Sequence, residues 1–150
     1  MSPNPSPDPT HDFGDRFERL GRSLGQREGE HAADIARARA CVLTLRVVVA
    51  KALDDFQRAA HAAGAPHLQI ELGEIRTDDK HLRAAEFELG RGRHRAIVTA
   101  KSRGDVTLVG PFHKGKAEGP CLSFPFDAGS ELSSALGEFL EKFLEDAATP

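Results

Sequence analysis

The sequence predicts an α+β fold: a long N-terminal helix, a four-stranded antiparallel meander plus a short edge strand, and a C-terminal amphipathic helix packed on the sheet. Three observations carry this. An apolar spacing of three and four residues runs from Ile35 to Ala63, as in a helix with one buried face. Between Leu68 and Gly110 the apolar period falls to two, as in strands with one buried and one wet face. The helical spacing returns from Leu132 to Leu144.

The first ten residues alternate proline with small polar residues, a composition that favours disorder with polyproline character. In the stretch that follows, Phe13, Phe17, Leu20 and Leu24 fall at helical spacing. Gly14, Gly21 and Gly25 weaken that helix by about 1 kcal/mol each relative to alanine. Residues 1–25 therefore read as a Pro-rich tail and a weak arm, 26–147 as a single domain, and 148–150 as a frayed end.

The main helix is expected from Arg27 to Ala63, closed by Gly64 with Pro66 beyond. Ile35, Ala38, Val42, Leu45, Val49, Ala52 and Phe56 form a sustained heptad seam. Leu43, Val47, Ala50 and Leu53 are expected to widen it into a broad buried face. Such a helix is about 55 Å long at 1.5 Å per residue, against about 33 Å for a ten-residue strand. It should overhang the sheet onto a second subunit, or break near Gly29.

Strand one alternates Leu68, Ile70 and Leu72 with polar residues, and Gly73 shifts the phase so that Ile75 rejoins the buried side across a bulge. Arg76 to Lys80 read as a polar turn. Strand two buries Ala85, Phe87 and Leu89 and turns Glu86 and Glu88 outward. A loop centred on Arg91-Gly92 sets Phe87 opposite Ala96, Ala85 opposite Val98 and Glu88 opposite Arg95. A three-residue turn over Ser102-Arg103-Gly104 then pairs Val98 with Leu108 and Ala100 with Val106. That register collects Ile97, Thr99, Thr107 and Val109 on the outer face, an apolar patch that needs a cover or a partner. Residues 112–119 read as a loop. Leu122, Phe124 and Phe126 mark a short strand that Pro125 confines to the sheet edge. Asp127 or Ser130 is expected to cap the last helix.

Composition excludes some functions. No apolar run approaches the roughly 20 residues of a membrane span, and the N-terminus lacks the basic and apolar regions of a secretory signal. Cys41 and Cys121 lie in apolar contexts and form no framework, which suits a reducing cytoplasm. There is no Trp or Tyr, which disfavours aromatic carbohydrate platforms.

Charge is segregated within a net −3. From Lys80 to Lys116, nine bases face three acids, so the rest of the chain carries −9 against this +6. Arg91, Arg93 and Arg95 gather at one hairpin, with Lys101 beyond, a candidate site for an anion or an acidic partner. No aromatic interleaves with them to stack a base. Residues 110–117 approach a phosphate loop but lack its Ser or Thr and its helix. The histidines, including His61, His67 and the Asp78, Asp79, His81 group, lack metal-ligand spacing. No catalytic residue or cofactor is indicated.

The sequence therefore points to a small non-enzymatic cytoplasmic binding or adaptor module acting through protein–protein contacts. It is expected to be homodimeric through the heptad seam (Ile35, Val42) or the outer patch (Ile97, Thr99, Thr107, Val109). Two alternatives stand beside it. One is anion or nucleic-acid binding through the basic hairpin. The other is a small-molecule pocket, possibly enzymatic, between sheet and C-terminal helix, lined by Phe87, Phe124, Phe126 and Phe139.

Overall fold

Helix α1 spans Phe13–Ala62 in the computed structural model, which describes residues 12–78, 83–115 and 119–148. The expected weak arm is thus the start of the helix, and Gly29 does not interrupt it. A residue added to an existing helix gains a hydrogen bond without a new nucleation step, and this offsets the glycine penalties. The chain divides into two compact units, Met1–Ala33 and Asp34–Pro150. In the first, Phe13, Phe17, Leu20 and Leu24 are exposed, with the Phe13 and Phe17 rings 5.6 Å apart. Arg22 reaches Glu18 one turn back at 3.1 Å.

In the second unit, α1 buries Ala38, Val42, Val49 and Leu53. Of the residues expected to widen this face, Leu53 is buried and Ala50 half-buried, whereas Leu43 and Val47 are exposed, Val47 by 67%. At 100° per residue, Leu43 and Val47 lie well round the helix from Val42, beyond the reach of the sheet. The helix ends as anticipated. Gly64 takes φ +93°, and the Ala65 N–H bonds back to the Ala60 carbonyl, closing the last turn by the Schellman pattern.

Six strands follow: β1 (Glu71–Leu72), β2 (Arg76–Asp78), β3 (Ala84–Arg91), β4 (His94–Lys101), β5 (Asp105–His113) and β6 (Cys121–Pro125). They form one antiparallel sheet in the order β1-β3-β4-β5-β6, with β2 also pairing along β3. Leu72 faces Leu89 and Arg76 faces Glu86. One extra residue is therefore accommodated between β1 and β2, the bulge anticipated at Gly73, whose N–H bonds the Glu88 carbonyl at 2.8 Å. The strand character is displaced along the chain. Leu68 to Ile70 are not strand, whereas Arg76–Asp78, expected in a turn, are. Asp79 and Lys80 lie outside the described residues.

The β3–β4 turn is Gly92-Arg93, not Arg91-Gly92. Arg91 faces His94, and Phe87 faces Val98 rather than Ala96. Gly92 has φ +59° and Arg93 is not among the positive-φ residues, the type II′ pattern that wants glycine first. The correction moves each partner by two residues, so every side chain keeps its face. The β4–β5 turn matches its expectation: Gly104 has φ +106°, Val98 faces Leu108 and Ala100 faces Val106. β5 runs on to His113, taking in residues that read as loop.

Helix α2 spans Ser130–Ala148. Its first helical bond runs from the Ser133 N–H to the Gly129 carbonyl, which puts Gly129, rather than Asp127 or Ser130, at the capping position. Leu132, Leu136, Phe139, Leu140 and Phe143 of α2 join Phe87, Leu89, Val98, Val106 and Leu108 in one core cluster. Fully burying each such side chain contributes about 1.5–3 kcal/mol. Arg46 and Arg39 of α1 bond the Gly73 carbonyl and the Thr77 hydroxyl, both at 2.9 Å. Helix α2 and the part of α1 within the second unit thus serve the same face of the sheet.

Candidate functional site: the uncovered sheet face

Antiparallel pairing decides what the other face carries. Two cross-strand rows dominate it. In the first, Arg76, Glu86, Thr99, Thr107 and Ser123 stand side by side over five strands. Glu86 accepts hydrogen bonds from Arg76 and Thr99, each at 3.1 Å, and the Thr107 and Ser123 hydroxyls meet at 3.0 Å. In the second row, Glu88, Ile97, Val109 and Cys121 are neighbours. An apolar pair, Ile97 and Val109, therefore sits beside a ladder of mutually satisfied polar groups.

Local packing shields part of this face. Thr99 and Thr107 are buried, whereas Ile97 and Val109 are half-buried. A concavity of about 630 Å³ opens on it, lined by Glu86, Thr99, Thr107 and Val109 with Arg83 and Lys101 at the rim. Arg103 stands at the same end and forms a two-pronged pair with Asp105, at 2.6 and 3.0 Å. The Arg103 hydrogen bond holds the Asp105 carboxyl below its usual range, against a smaller opposing effect of burial.

The structure separates the four candidate anion-binding residues. Arg91 points to the helix face, where it donates to the Ala147 carbonyl at the end of α2. Arg95 lies on the opposite face, with its guanidinium 3.4 Å from Glu88. It occupies the space that a Cβ at Gly90 would need, only 1.9 Å from one of its nitrogens. Arg93 is exposed in the turn. Lys101 is at the far end of β4, some 23 Å along an eight-residue strand at 3.3 Å per residue. At the hairpin end of β4, the His94 and His113 rings meet edge to face at 5.0 Å.

Of the partner-patch residues, Ile97, Thr99, Thr107 and Val109 come together as anticipated in register. Val42 is fully buried in the core of its own chain, and Ile35 is half-buried on α1. Phe87 and Phe139 lie within the core, with Phe124 and Phe126 packed against it, and Phe124 also lines an open hollow beside α2. Burial pushes the Cys41 thiol up, away from reactivity, while Cys121 is exposed on the outer face.

Glu86, Arg83 and Ser123 belong to this face and were not singled out from the sequence. Strand alternation does turn Glu86 outward, but its bonds to Arg76 and Thr99 depend on β2 existing. Among the described residues no group of three His, Cys, Asp or Glu side chains could hold a metal ion, and no helix is long and apolar enough to cross a membrane. No protein-family model matches the chain, and neither does any curated protein or solved structure.

Proposed function

We propose that this protein is a small non-enzymatic binding module that engages a partner protein on the uncovered face of its sheet. One observation carries the reading: within the second unit, α2 and its part of α1 pack on a single face, leaving Ile97 and Val109 paired on the other. An apolar centre rimmed by polar groups is the usual composition of a protein contact surface. The rim is held in place by its own hydrogen bonds, so little side-chain freedom is lost on binding.

A photo-cross-linking residue at Ile97 tests this in cells. It should capture a discrete partner that the same residue at Glu138, exposed on α2, does not, and Val109→Glu should abolish the capture. Equal capture from both positions, or capture insensitive to Val109→Glu, sinks the reading. No second function is favoured, because the basic residues of the hairpin point to different faces.

A further inference from the structure

The two edges of the sheet are built differently. The β1/β2 edge is broken by the bulge at Gly73 and held by Arg39 and Arg46 from α1. It carries the charged residues Glu71, Glu74 and Arg76. Bulges, charges and covering elements are how sheets stop their edges from pairing. The opposite edge is β6, and among the described residues its outer side pairs with nothing. From Cys121 to Phe126 there is no charged residue, and Leu122 is 55% exposed.

The backbone groups of β6 divide between its two sides. On the β5 side, the Pro120 carbonyl accepts from the Gly110 N–H and the Phe126 N–H donates to the carbonyl of Gly104, just before the strand. The N–H and C=O of one residue share a side and successive residues alternate, so those of Leu122 and Phe124 also face β5. Cys121, Ser123 and Pro125 point theirs away. Pro125 is therefore placed where its missing N–H takes nothing from the β5 ladder.

We propose that a second copy of the chain pairs with β6 along this free edge, antiparallel and centred on Ser123. In that register the two Ser123 residues exchange both of their backbone hydrogen bonds. Each Cys121 N–H meets the Pro125 carbonyl of the other copy, and the proline removes only one bond at each end. Leu122 comes opposite the other copy's Phe124 on the helix side. There a hollow of about 590 Å³, lined by Phe124, Ser134 and Ala135 among others, lies open beside the strand, and an exposed leucine fits it. The register is self-complementary, which selects a second copy over an unrelated strand. This pairing is independent of what the sheet face binds, and it would set two such faces side by side.

Light scattering coupled to size exclusion, at micromolar concentration, provides the first test. The parent chain should run as a dimer. Ser123→Pro should run as a monomer with an unchanged circular dichroism spectrum, since the N–H it removes faces outward. In a Cys121→Ser background, Ser123→Cys should form a disulfide-linked dimer under mild oxidation. Facing residues of a hydrogen-bonded pair lie about 5.5 Å apart at Cα, within disulfide reach. Glu141→Cys, on α2, should not cross-link. The Ile97→Glu, Val109→Glu double variant should remain dimeric, which separates this seam from the face. A monomeric parent overturns the proposal. So does a dimer that survives Ser123→Pro, or one that Ser123→Cys fails to link; if Ser123→Pro misfolds, the cross-link decides.

Discussion

Gly110→Ala and Gly104→Ala form a pair that separates backbone strain from steric exclusion. Both glycines have positive φ, +122° and +106°, and an alanine there costs about 1–3 kcal/mol in backbone strain alone. The surroundings differ. A Cβ at Gly104 meets nothing within 4 Å, whereas one at Gly110 lies 3.1 Å from the Ala96 Cα and from the Arg95 carbonyl oxygen. Those neighbours are backbone of β4, at the point where the β4–β5 register shifts between Arg95 and Ile97, and they cannot swing aside. Relieving the overlap means displacing a central strand, and overpacking of that kind adds about 1–3 kcal/mol. Gly104→Ala should therefore lose roughly 1–3 kcal/mol and Gly110→Ala roughly 2–6. Urea denaturation followed by circular dichroism measures both. If Gly110→Ala is as mild as Gly104→Ala, the close approach of β5 to β4 is wrong.

Three further outcomes are expected. Arg91→Ala removes the donor to the Ala147 carbonyl and should cost about 1–2 kcal/mol, with faster hydrogen exchange confined to the last turn of α2. Asp105 has a depressed carboxyl pKa in the folded chain. Its contribution is present above the unfolded value, near 4, and is lost as pH falls through the lower folded value. Asp105→Asn should therefore flatten the stability profile on that acid limb and leave the shape above about pH 6 unchanged; denaturant titrations at several pH values follow it. Gly25→Ala should raise helicity and stabilise the first unit's helix by about 1 kcal/mol, because a Cβ there meets nothing within 4 Å.

What could be read from sequence follows from how local its causes are. The inner face of the sheet was legible because Ala85, Phe87, Leu89, Val98, Ala100, Val106 and Leu108 alternate strictly, and a two-residue slip leaves alternation intact. The β3–β4 register itself was misread because both Gly90 and Gly92 offer φ > 0, and only the turn geometry chooses Gly92 as its first central residue. Arg76–Asp78 look like a turn on their own and become strand because β3 presents a free edge across the bulge. Arg91 and Arg95 are near neighbours in sequence, but the turn between them sends one towards α2 and the other across Gly90. The Ile97–Val109 pair was legible because the second turn fixes its register locally. That the helical segments of the second unit lie on the opposite face was not, since both had to be placed first.

Cysteine footprinting at the sheet face tests the functional reading most directly. Val109→Cys, in a chain whose Cys41 and Cys121 are replaced by serine, reports on the apolar pair with a small thiol-reactive probe. Ready labelling of the dilute purified protein is expected, since the residue is half-buried on an open face. Inside cells, where a partner occupies the face, protection is expected. Equal labelling in both settings would show a face without a partner, and no labelling of the purified chain would show that the face is already covered.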